Sequence, residues 1–520
     1  MFKTILFQLL VFFRSLYDYA VDFIFGLMIY DDTKKKIIPP VKNRIVLESA
    51  TSLAKKIREK ELTAETVVRA FIERIEQVNP IINAVVDERF DLAIKESQEI
   101  DKYLKTTTDP IDKIEKNKPL LGIPFTTKES TSCKGLNYTF GLLARKGEKG
   151  TEDAEVVRLM KEAGGILLGV TNMPELNLWC ESRNNLYGQT LNPFNTTRTV
   201  GGSSGGEASI ISVCGSPIGI GTDIGGSIRM PAFFCGIFGH KPTTDAVSMK
   251  GTTRRTGNEK NSMAAAGPMA KYHEDLVSVL KVVSIHSSIN ETLYQEVDMK
   301  TINFYYMEEL NDPRVSKVDE ELTQILRRAV NYCQDISGVA CKKAKFHGLE
   351  YSYKLWRYWM TKEPYQFEDE LGNRERTVNL WKELPKKLIG KSEFTLAAIY
   401  KLIDHKLPQE NSIWAEKLTE KLKTEFNNIL DNNGVLLCPS SPTPAPYHYT
   451  PFLRPFNFTY WALFNIFKFP VTQVPLGLNK EGLPIGIQVV AALNNDKICL
   501  EVAKHLQNGF GGWVPPFEVK

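Results

Sequence analysis

Two glycine- and serine-rich clusters stand close together near the middle of this 520-residue chain. The first reads GGSSGG at residues 201–206, and the second places Ser227 directly after Gly225 and Gly226. Eleven of the chain's 35 glycines fall within residues 201–239. Glycine is used where the backbone turns unusually or approaches another group closely. The clusters therefore predict backbone that wraps around a ligand or a reacting group.

Backbone amides in such loops either cradle a phosphate or stabilise the oxyanion formed in a nucleophilic reaction. The stretch GIGTDIGG misses the dinucleotide-binding pattern, because Ile224 stands where the third glycine belongs, and no GK[ST] occurs. GGSSG and GSSGG both fit the G-x-S-x-G nucleophile pattern, although they follow the turn-rich NPFNTTRT instead of a strand. The strand-to-helix context that this pattern requires is therefore missing, and a pattern this short in a glycine-rich loop often matches by accident.

A serine nucleophile needs a base at neutral pH. Lys128 ends the apolar run LLGIPFTTK, which predicts a buried strand. Burial disfavours the ammonium form of lysine and lowers its pKa, so a lysine at the end of a buried strand could act as a base, although most lysines are solvated surface residues. His240 follows the second cluster and is expected to be a structural hydrogen-bonding residue. His448 and His505 become candidate bases only if the protein is an esterase or lipase of a different fold.

Helical and strand patterns alternate around these residues. Helices are predicted within 46–78, ending before Pro80, and within 90–105. Strands are predicted within 120–130, 166–170, 301–306, 435–438, 471–476 and 485–490. This alternation predicts an α/β protein with a single large α/β/α layered domain around a mixed twisted sheet. The predicted organisation is an N-terminal helix at 1–30, a linker at 31–44 and a domain at 45–515, with an aromatic-rich helical insertion at 350–430.

The amino-acid composition argues against several classes of function. The chain is 42% apolar and 24% charged with a net charge of +4, which is typical of a globular protein and gives no reason to expect nucleic-acid binding. The eight cysteines include no CxxC pair, and there is no HExxH motif. We therefore expect reduced thiols, no metal site and no cofactor.

The first thirty residues form an apolar helix pattern with one narrow polar arc. The polar arc consists of Lys3, Thr4, Gln8, Arg14, Ser15, Asp18 and Asp22. A tilted membrane span, a helix lying in the membrane interface and burial against the body all remain open, with Arg14 and Asp18 forming an i,i+4 pair. The basic residues Lys34–Lys36 suit an anionic cytoplasmic leaflet, which predicts a membrane-associated protein whose catalytic domain is cytosolic.

Longer motifs around the clusters resemble those of the amidase signature hydrolases. These motifs are GGSSGGEAS, GIGTDIGGSIRMPAFFCGIFGHKPT, GIPFTTKE and GLPIGIQVV, and the resemblance extends over residues 45–515. Within that family, RPFNFTY and FPVTQVPLGLN resemble the membrane-anchored fatty-acid amide hydrolases. The resemblance implies hydrolysis of amide bonds, with fatty-acid amides as the expected substrates.

The resemblance also implies a catalytic unit of two serines and a lysine. By motif, Ser227 is the nucleophile, Ser203 is a bridging serine held by a cis peptide, and Lys128 is the base. The implied oxyanion hole consists of the backbone amides of Ile224, Gly225, Gly226 and Ser227. An acyl-enzyme on Ser227, with proton transfer through Ser203 to Lys128, is the expected mechanism.

Several neighbouring residues are expected to support this unit. Ser204 and Thr222 are implied as supporting hydrogen-bonding residues, and Arg229 is expected to pair with a carboxylate near the site. Asp223 is expected to order its loop. Ser204 is also predicted to cap the helix that begins near Gly205, in a capping box with Glu207.

Two alternatives to a hydrolase remain open. One is an amidotransferase subunit of the same family, and the other is a non-catalytic membrane adaptor that keeps the fold. For a hydrolase, the expected partners are a lipid-like amide, the membrane and, as in some relatives, a second copy of the chain. The amphipathic stretch 386–404, with Phe394, Leu396, Ile399 and Tyr400, is expected to be core or, alternatively, to line an acyl-chain tunnel.

Overall fold

The computed structural model describes residues 2–29, 35–259 and 262–520. Lys34 and the side chains of Lys3 and Thr4 lie outside the described part. The strands are β1 (Val85–Glu88), β2 (Pro124–Lys128), β3 (Ile166–Thr171), β4 (Arg183–Asn184), β5 (Gly188–Gln189), β6 (Ile218–Asp223), β7 (Phe238–Lys241), β8 (Ala265–Ala270), β9 (Asn303–Tyr306), β10 (Lys342–Lys343), β11 (Gly434–Pro439), β12 (Val471–Leu478) and β13 (Pro484–Ala491).

Helices surround these strands along the whole chain. They are α1 (Phe2–Ile29), α2 (Ala50–Arg58), α3 (Ala64–Ile82), α4 (Phe90–Thr106), α5 (Ile111–Asn117), α6 (Glu155–Glu162), α7 (Gly205–Ser212), α8 (Arg229–Phe234), α9 (His273–Val283), α10 (Ile289–Thr292), α11 (Glu320–Ser337), α12 (Ser352–Met360), α13 (Phe367–Leu371), α14 (Leu380–Leu388), α15 (Leu396–Lys406), α16 (Ser412–Leu430), α17 (Thr459–Ile466) and α18 (Asp496–Phe510). Short 3-10 turns include Glu175–Asn177 and Thr450–Leu453.

In the described residues, eleven strands form one sheet in the order β1-β3-β2-β6-β8-β7-β12-β13-β11-β9-β10. The sheet is mixed. β2 runs parallel to both of its neighbours, β3 and β6, whereas β6 pairs antiparallel with β8 and β7 pairs antiparallel with β12. β2, β3 and β6 are buried along their whole length, so this region of the sheet is covered on both faces, and the polar residues at the ends of β2 and β6 are buried with it. The predicted α/β class and large mixed sheet are confirmed.

The main core contains side chains from nearly every element, and a second, smaller core lies beneath the helices of residues 367–406. In this second core Phe394 and Ile399 are buried against Phe140 and Leu176. The prediction that the 386–404 stretch is core holds for those two side chains.

The predicted end of the third helix is wrong. α3 continues through Pro80 to Ile82 and ends at Asn83, whose φ of 50° is left-handed. A proline near the helix end disrupts only the last backbone hydrogen bonds, so two further helical residues, Ile81 and Ile82, form before the left-handed Asn83 ends the helix.

α1 places Arg14, Asp18 and Asp22 against the body and most of its large apolar residues outward. Arg14 pairs with Asp18 at 3.1 Å, as expected, and Arg454 from the body contacts Asp18 and Asp22. The exposed large apolar residues of α1 are Ile5, Leu9, Leu10, Phe12, Phe13, Leu16, Tyr17, Tyr19, Phe23, Ile24, Leu27 and Met28. Among the described residues, no helix combines the length and the apolar character that crossing a membrane requires.

Candidate active site

Lys128 is the last residue of β2 and lies between β3 and β6 in the most buried part of the sheet. Its side chain is fully buried, and its Nζ lies 2.8 Å from both Ser203 Oγ and Thr222 Oγ1. Burial lowers the Lys128 pKa to about 7, against the opposing effect of the Asp223 and Glu207 carboxylates. Near neutral pH a substantial fraction of Lys128 is therefore an uncharged amine that can accept a proton.

Ser203 and Ser227 lie on two loops that bind each other through their backbones. The Gly202–Ser203 peptide bond is cis, and the amide of Ser204 donates to the Ser227 carbonyl at 3.0 Å. The two serines line the same cavity. In the part of the chain that the structure describes, their hydroxyls are not hydrogen-bonded to each other, so of the two proton-transfer steps only the contact between Lys128 and Ser203 is already made.

The turn that carries Ser227 joins β6 to α8. Asp223 holds this turn, because its Oδ1 accepts the amide of Gly226 at 2.8 Å and its Oδ2 accepts the amide of Ile228 at 3.1 Å. Of the four amides predicted to form the oxyanion hole, Gly226 is therefore already engaged. Across the described ranges, the amides of the other three have no protein acceptor; they belong to Ile224, Gly225 and Ser227.

Asp223 is itself held by a fully buried polar network. Arg229 forms two hydrogen bonds with its carboxylate, both at 3.0 Å, and neither side chain is exposed. Asn465 donates to Asp223 Oδ1 at 2.9 Å and accepts from Arg229 at 2.6 Å, while Gln488 accepts from Arg229 at 2.8 Å. Although burial opposes ionisation, the Arg229 guanidinium holds the Asp223 pKa well below its usual range. Sequence analysis missed Asn465 and Gln488.

The predicted capping box at α7 is wrong. Ser204 makes no capping bond; its Oγ accepts the Thr222 amide and donates to the Thr222 carbonyl, both at 3.4 Å. Glu207 accepts hydrogen bonds from Thr126 at 2.9 Å and Thr171 at 2.8 Å, and burial raises its pKa to about 8. Ser204 and Glu207 therefore bind residues of the neighbouring strands β2, β3 and β6 instead of capping α7.

Two cavities meet at Ser227, and Lys401 lies on the wall of both. One, which we call the apolar cavity, has a volume of about 730 Å³. Its apolar and aromatic lining includes Trp179, Met230, Tyr353, Trp356, Tyr400, Pro451, Pro455 and Phe458. The other, which we call the charged cavity, has a volume of about 870 Å³. Its ionisable lining comprises Asp223, Arg255, Glu363, Tyr365, Glu370, Lys401 and His405.

The histidines considered from sequence lie elsewhere. His240 is buried and bonded to Thr472 at 2.8 Å and Asp496 at 3.1 Å, as expected of a structural residue. His448 and His505 line neither cavity. His405, which sequence analysis did not consider, lines the charged cavity and lies 3.1 Å from Glu368.

The mixed sheet thus brings the two glycine-rich loops next to the buried Lys128. The Amidase family matches residues 66–500, and the chain belongs to that family, the amidase signature family that its motifs predict.

Curated relatives resemble the chain over nearly its whole length. It is 40% identical to fatty-acid amide hydrolase 2-B of Danio rerio over 501 residues, covering 95% of each chain. It is 41% identical to fatty-acid amide hydrolase 2 of Homo sapiens over 488 residues, covering 92% of each. A solved structure of a fatty acid amide hydrolase superposes with a TM-score of 0.71 at 22% identity, covering 91% of this chain and 86% of that one. This last likeness concerns the fold alone.

Proposed function

We propose that this protein is a serine hydrolase of amide bonds and that its substrates are fatty-acid amides. The observation that carries the proposal is the contact between a fully buried Lys128 and Ser203, at 2.8 Å, beside the turn that bears Ser227. A base, a hydroxyl relay and unengaged amides are the parts that acyl transfer from an amide requires. The likeness to fatty-acid amide hydrolases supports the choice of substrate.

In the proposed mechanism, neutral Lys128 accepts the proton of Ser203 while Ser203 accepts the proton of Ser227. The Ser227 oxygen forms a bond to the substrate carbonyl carbon, and the amides of the Ile224–Ser227 turn stabilise the resulting oxyanion. The Lys128 proton then passes back through Ser203 to the leaving nitrogen, because an amide anion leaves poorly. The C–N bond breaks, an amine departs and an acyl ester remains on Ser227. Water attacks the ester through the same relay and releases the fatty acid.

The two cavities suit the two halves of such a substrate. We place the acyl chain in the apolar cavity, where Trp356, Tyr400 and Phe458 offer the apolar surface that an alkyl chain requires. The amine then occupies the charged cavity, where hydrogen-bonding groups such as Glu363 and Arg255 can solvate a polar head. This arrangement uses Tyr400 of the 386–404 stretch as part of the acyl-chain site.

A fluorophosphonate probe tests the nucleophile directly. We expect the native protein to be labelled and Ser227→Ala to be unlabelled, because the probe traps an activated serine. Ser209→Ala is the matched control, since Ser209 is also buried but donates only to the Leu191 carbonyl, outside both cavities. Absence of labelling in the native protein would favour a non-catalytic adaptor.

Substrate class is tested by hydrolysis rates of the isolated chain. An eighteen-carbon primary amide, its ethanolamide and a four-carbon primary amide should be compared at equal concentration. We expect the two long-chain amides to react faster in kcat/KM. Activity that appears only with an added ammonia acceptor and a second subunit would point to an amidotransferase.

We also propose that α1 attaches the protein to a lipid bilayer. Its carboxylates Asp18 and Asp22 are bound to the body through Arg454, and its exposed apolar residues, including Phe12, Phe23, Leu27 and Met28, point away from the protein. An apolar helix face held in this way enters the interface of a bilayer along its length. Lys35 and Lys36, both exposed, add attraction to anionic headgroups and are consistent with a cytosolic catalytic domain.

Flotation with vesicles of phosphatidylcholine and phosphatidylserine tests this attachment. We expect Leu27→Ser with Met28→Ser to reduce the bound fraction several-fold, whereas Gln8→Ser, an exposed polar change on the same helix, should not. A stable homodimer without lipid that fails to float would instead assign the apolar face to a second copy of the chain.

A further inference from the structure

The segment 450–458, which we call the wall segment, forms one side of the apolar cavity. It consists of the 3-10 turn Thr450–Leu453 and the residues leading to α17. Pro451, Pro455 and Phe458 line the cavity, and Phe452 stacks on the cavity residue Trp179 with ring centroids 4.3 Å apart. The wall segment therefore sets part of the shape of the space available to an acyl chain.

The opposite side of the same segment binds α1. Arg454 donates from Nε to Asp18 Oδ1 and from Nη1 to Asp22 Oδ1, each at 2.9 Å. Its Nη2 donates to the Asp18 carbonyl at 2.7 Å, and the Tyr17 hydroxyl donates to the Leu453 carbonyl at 3.2 Å. Leu453 and Arg454, which lie between the cavity-lining Pro451 and Pro455, are therefore held by α1.

A second set of contacts, made through Ser316, joins α1 to the C-terminal end of the wall segment. Asn457 accepts the Ser316 amide and donates to the Ser316 hydroxyl, both at 3.0 Å. Arg14 of α1 donates to that same hydroxyl at 3.4 Å. Phe458, the next residue, packs edge-on against Trp356 at 4.8 Å, and Trp356 donates to the Ile224 carbonyl at 3.0 Å. The packed contacts from α1 therefore reach the turn that bears Ser227.

The carboxylates that neutralise Arg454 both belong to α1. Its side chain is only 3% exposed, and within the described residues both of its ion pairs are to α1 carboxylates, Asp18 and Asp22. Those carboxylates raise the Arg454 pKa, although burial works in the opposite direction. A buried guanidinium that loses its carboxylates must move toward water, because an unpaired buried charge is strongly disfavoured. Such a movement would carry the wall segment with it.

We infer that α1 is a positioning element of the substrate site and that Arg454 is the positioning residue through which it sets the wall of the apolar cavity. This inference rests on the proposed function. It predicts that α1 influences the choice of acyl chain even where no membrane is present, in addition to attaching the protein to lipid.

The test compares two primary amides, of eighteen and four carbons, with the full chain held in a non-ionic detergent so that delivery from a membrane plays no part. For Arg454→Gln we expect kcat/KM for the long amide to fall about tenfold, mainly through KM, as for a misplaced apolar contact. Kinetics with the short amide, which buries far less apolar surface in the cavity, should change less than twofold. Arg454→Lys, which retains one ion pair, should recover part of the loss.

Arg58→Gln is the matched control, because Arg58 is a similarly buried guanidinium, 5% exposed and paired with the helix carboxylate Glu115, but it belongs to α2 and lies outside the wall segment. It should leave the ratio of long- to short-chain kcat/KM unchanged. If Arg454→Gln does not fold, Asp22→Asn is the milder variant, since Asp22 is 45% exposed. An unchanged ratio in the folded variants, or equal losses on both amides, would overturn the inference. Native protein that cleaves neither amide would instead overturn the proposed function.

Discussion

The amide of Gly226 donates a 2.8 Å hydrogen bond to the carboxylate of Asp223, the residue that ends β6. One of the four amides expected in the oxyanion hole thus holds the turn in shape, while its neighbours stay free of protein acceptors in the described residues. Asp223 is therefore placed to act on catalysis indirectly, by fixing the direction in which the Ile224, Gly225 and Ser227 amides point.

Replacement of Arg229 should be severe. Arg229→Gln leaves the Asp223 carboxylate buried without its cation, which typically costs about 3–5 kcal/mol of unfolding free energy. Asp223→Asn combined with Arg229→Gln should cost less than the sum of the single changes, because no unpaired charge then remains. Urea unfolding monitored by circular dichroism measures both. Additive losses would mean that the two side chains do not act as a pair.

The acidic limb of the pH profile should report Lys128. Its pKa of about 7 means that the amine is neutral, and active as a base, above that pH and protonated below it. We expect kcat/KM to rise with pH through a midpoint near 7, and Lys128→Ala to lower the rate by roughly 10²–10⁴-fold and remove the limb. Glu207, with a pKa of about 8, is the nearby group that could produce a similar limb.

Glu207→Gln separates the two possibilities. Glutamine keeps an acceptor oxygen for one of the two threonines, Thr126 or Thr171, presents an N–H donor to the hydroxyl oxygen of the other, and cannot titrate. If the limb persists in Glu207→Gln, Lys128 causes it; if the limb disappears there while activity at high pH remains, Glu207 is the titrating group.

The two adjacent serines of the first cluster should behave differently. Ser203→Ala removes the hydroxyl that contacts Lys128, so a loss of about 10²-fold or more in kcat is expected. Ser204→Ala removes only two long hydrogen bonds to Thr222, which are worth about 1 kcal/mol, so kcat should fall less than about tenfold. Steady-state kinetics on one soluble amide decides between them; equal losses would contradict separate roles.

Gly226 should not tolerate a side chain. Its φ is +114°, and a Cβ there would lie 2.4 Å from the Cβ of Trp461. Gly147 also has a positive φ, +88°, but a Cβ there meets nothing within 4 Å. Gly147→Ala should therefore cost only the backbone strain of about 1–2 kcal/mol, whereas Gly226→Ala should cost several kcal/mol more or prevent folding. Thermal unfolding of both variants isolates the clash.

Sequence patterns predicted the elements whose composition matches their environment. β2 and β3 were predicted because their apolar runs are bounded by glycine and proline. β6 and β8 were missed, since glycines and an aspartate interrupt the β-branched residues of IGIGTD, and AAGPMA consists mostly of small residues of low strand propensity. These strands form through pairing with each other and with β2, which is a tertiary effect that no local pattern records.

Some residues of the candidate site could likewise be predicted from the sequence, and others could not. The motif residues Lys128, Ser203 and Ser227 could be named because they sit in long ordered motifs. Asn465 and Gln488 could not, because they lie 236 and 259 residues beyond Arg229 in the chain and are joined to it only by folding. The orientation of α1 was also missed, since a helical wheel identifies a polar arc without saying what that arc contacts.

The ion pairs of Arg454 bear on how the enzyme should be produced. Deleting an apolar leader is a common route to a soluble fragment, and here a chain beginning near residue 35 would lose both carboxylates that neutralise Arg454. Such a fragment would retain every motif of the catalytic unit while carrying an orphaned cation beside the cavity. A better soluble version would keep the whole of α1 and replace only its exposed apolar side chains with polar ones.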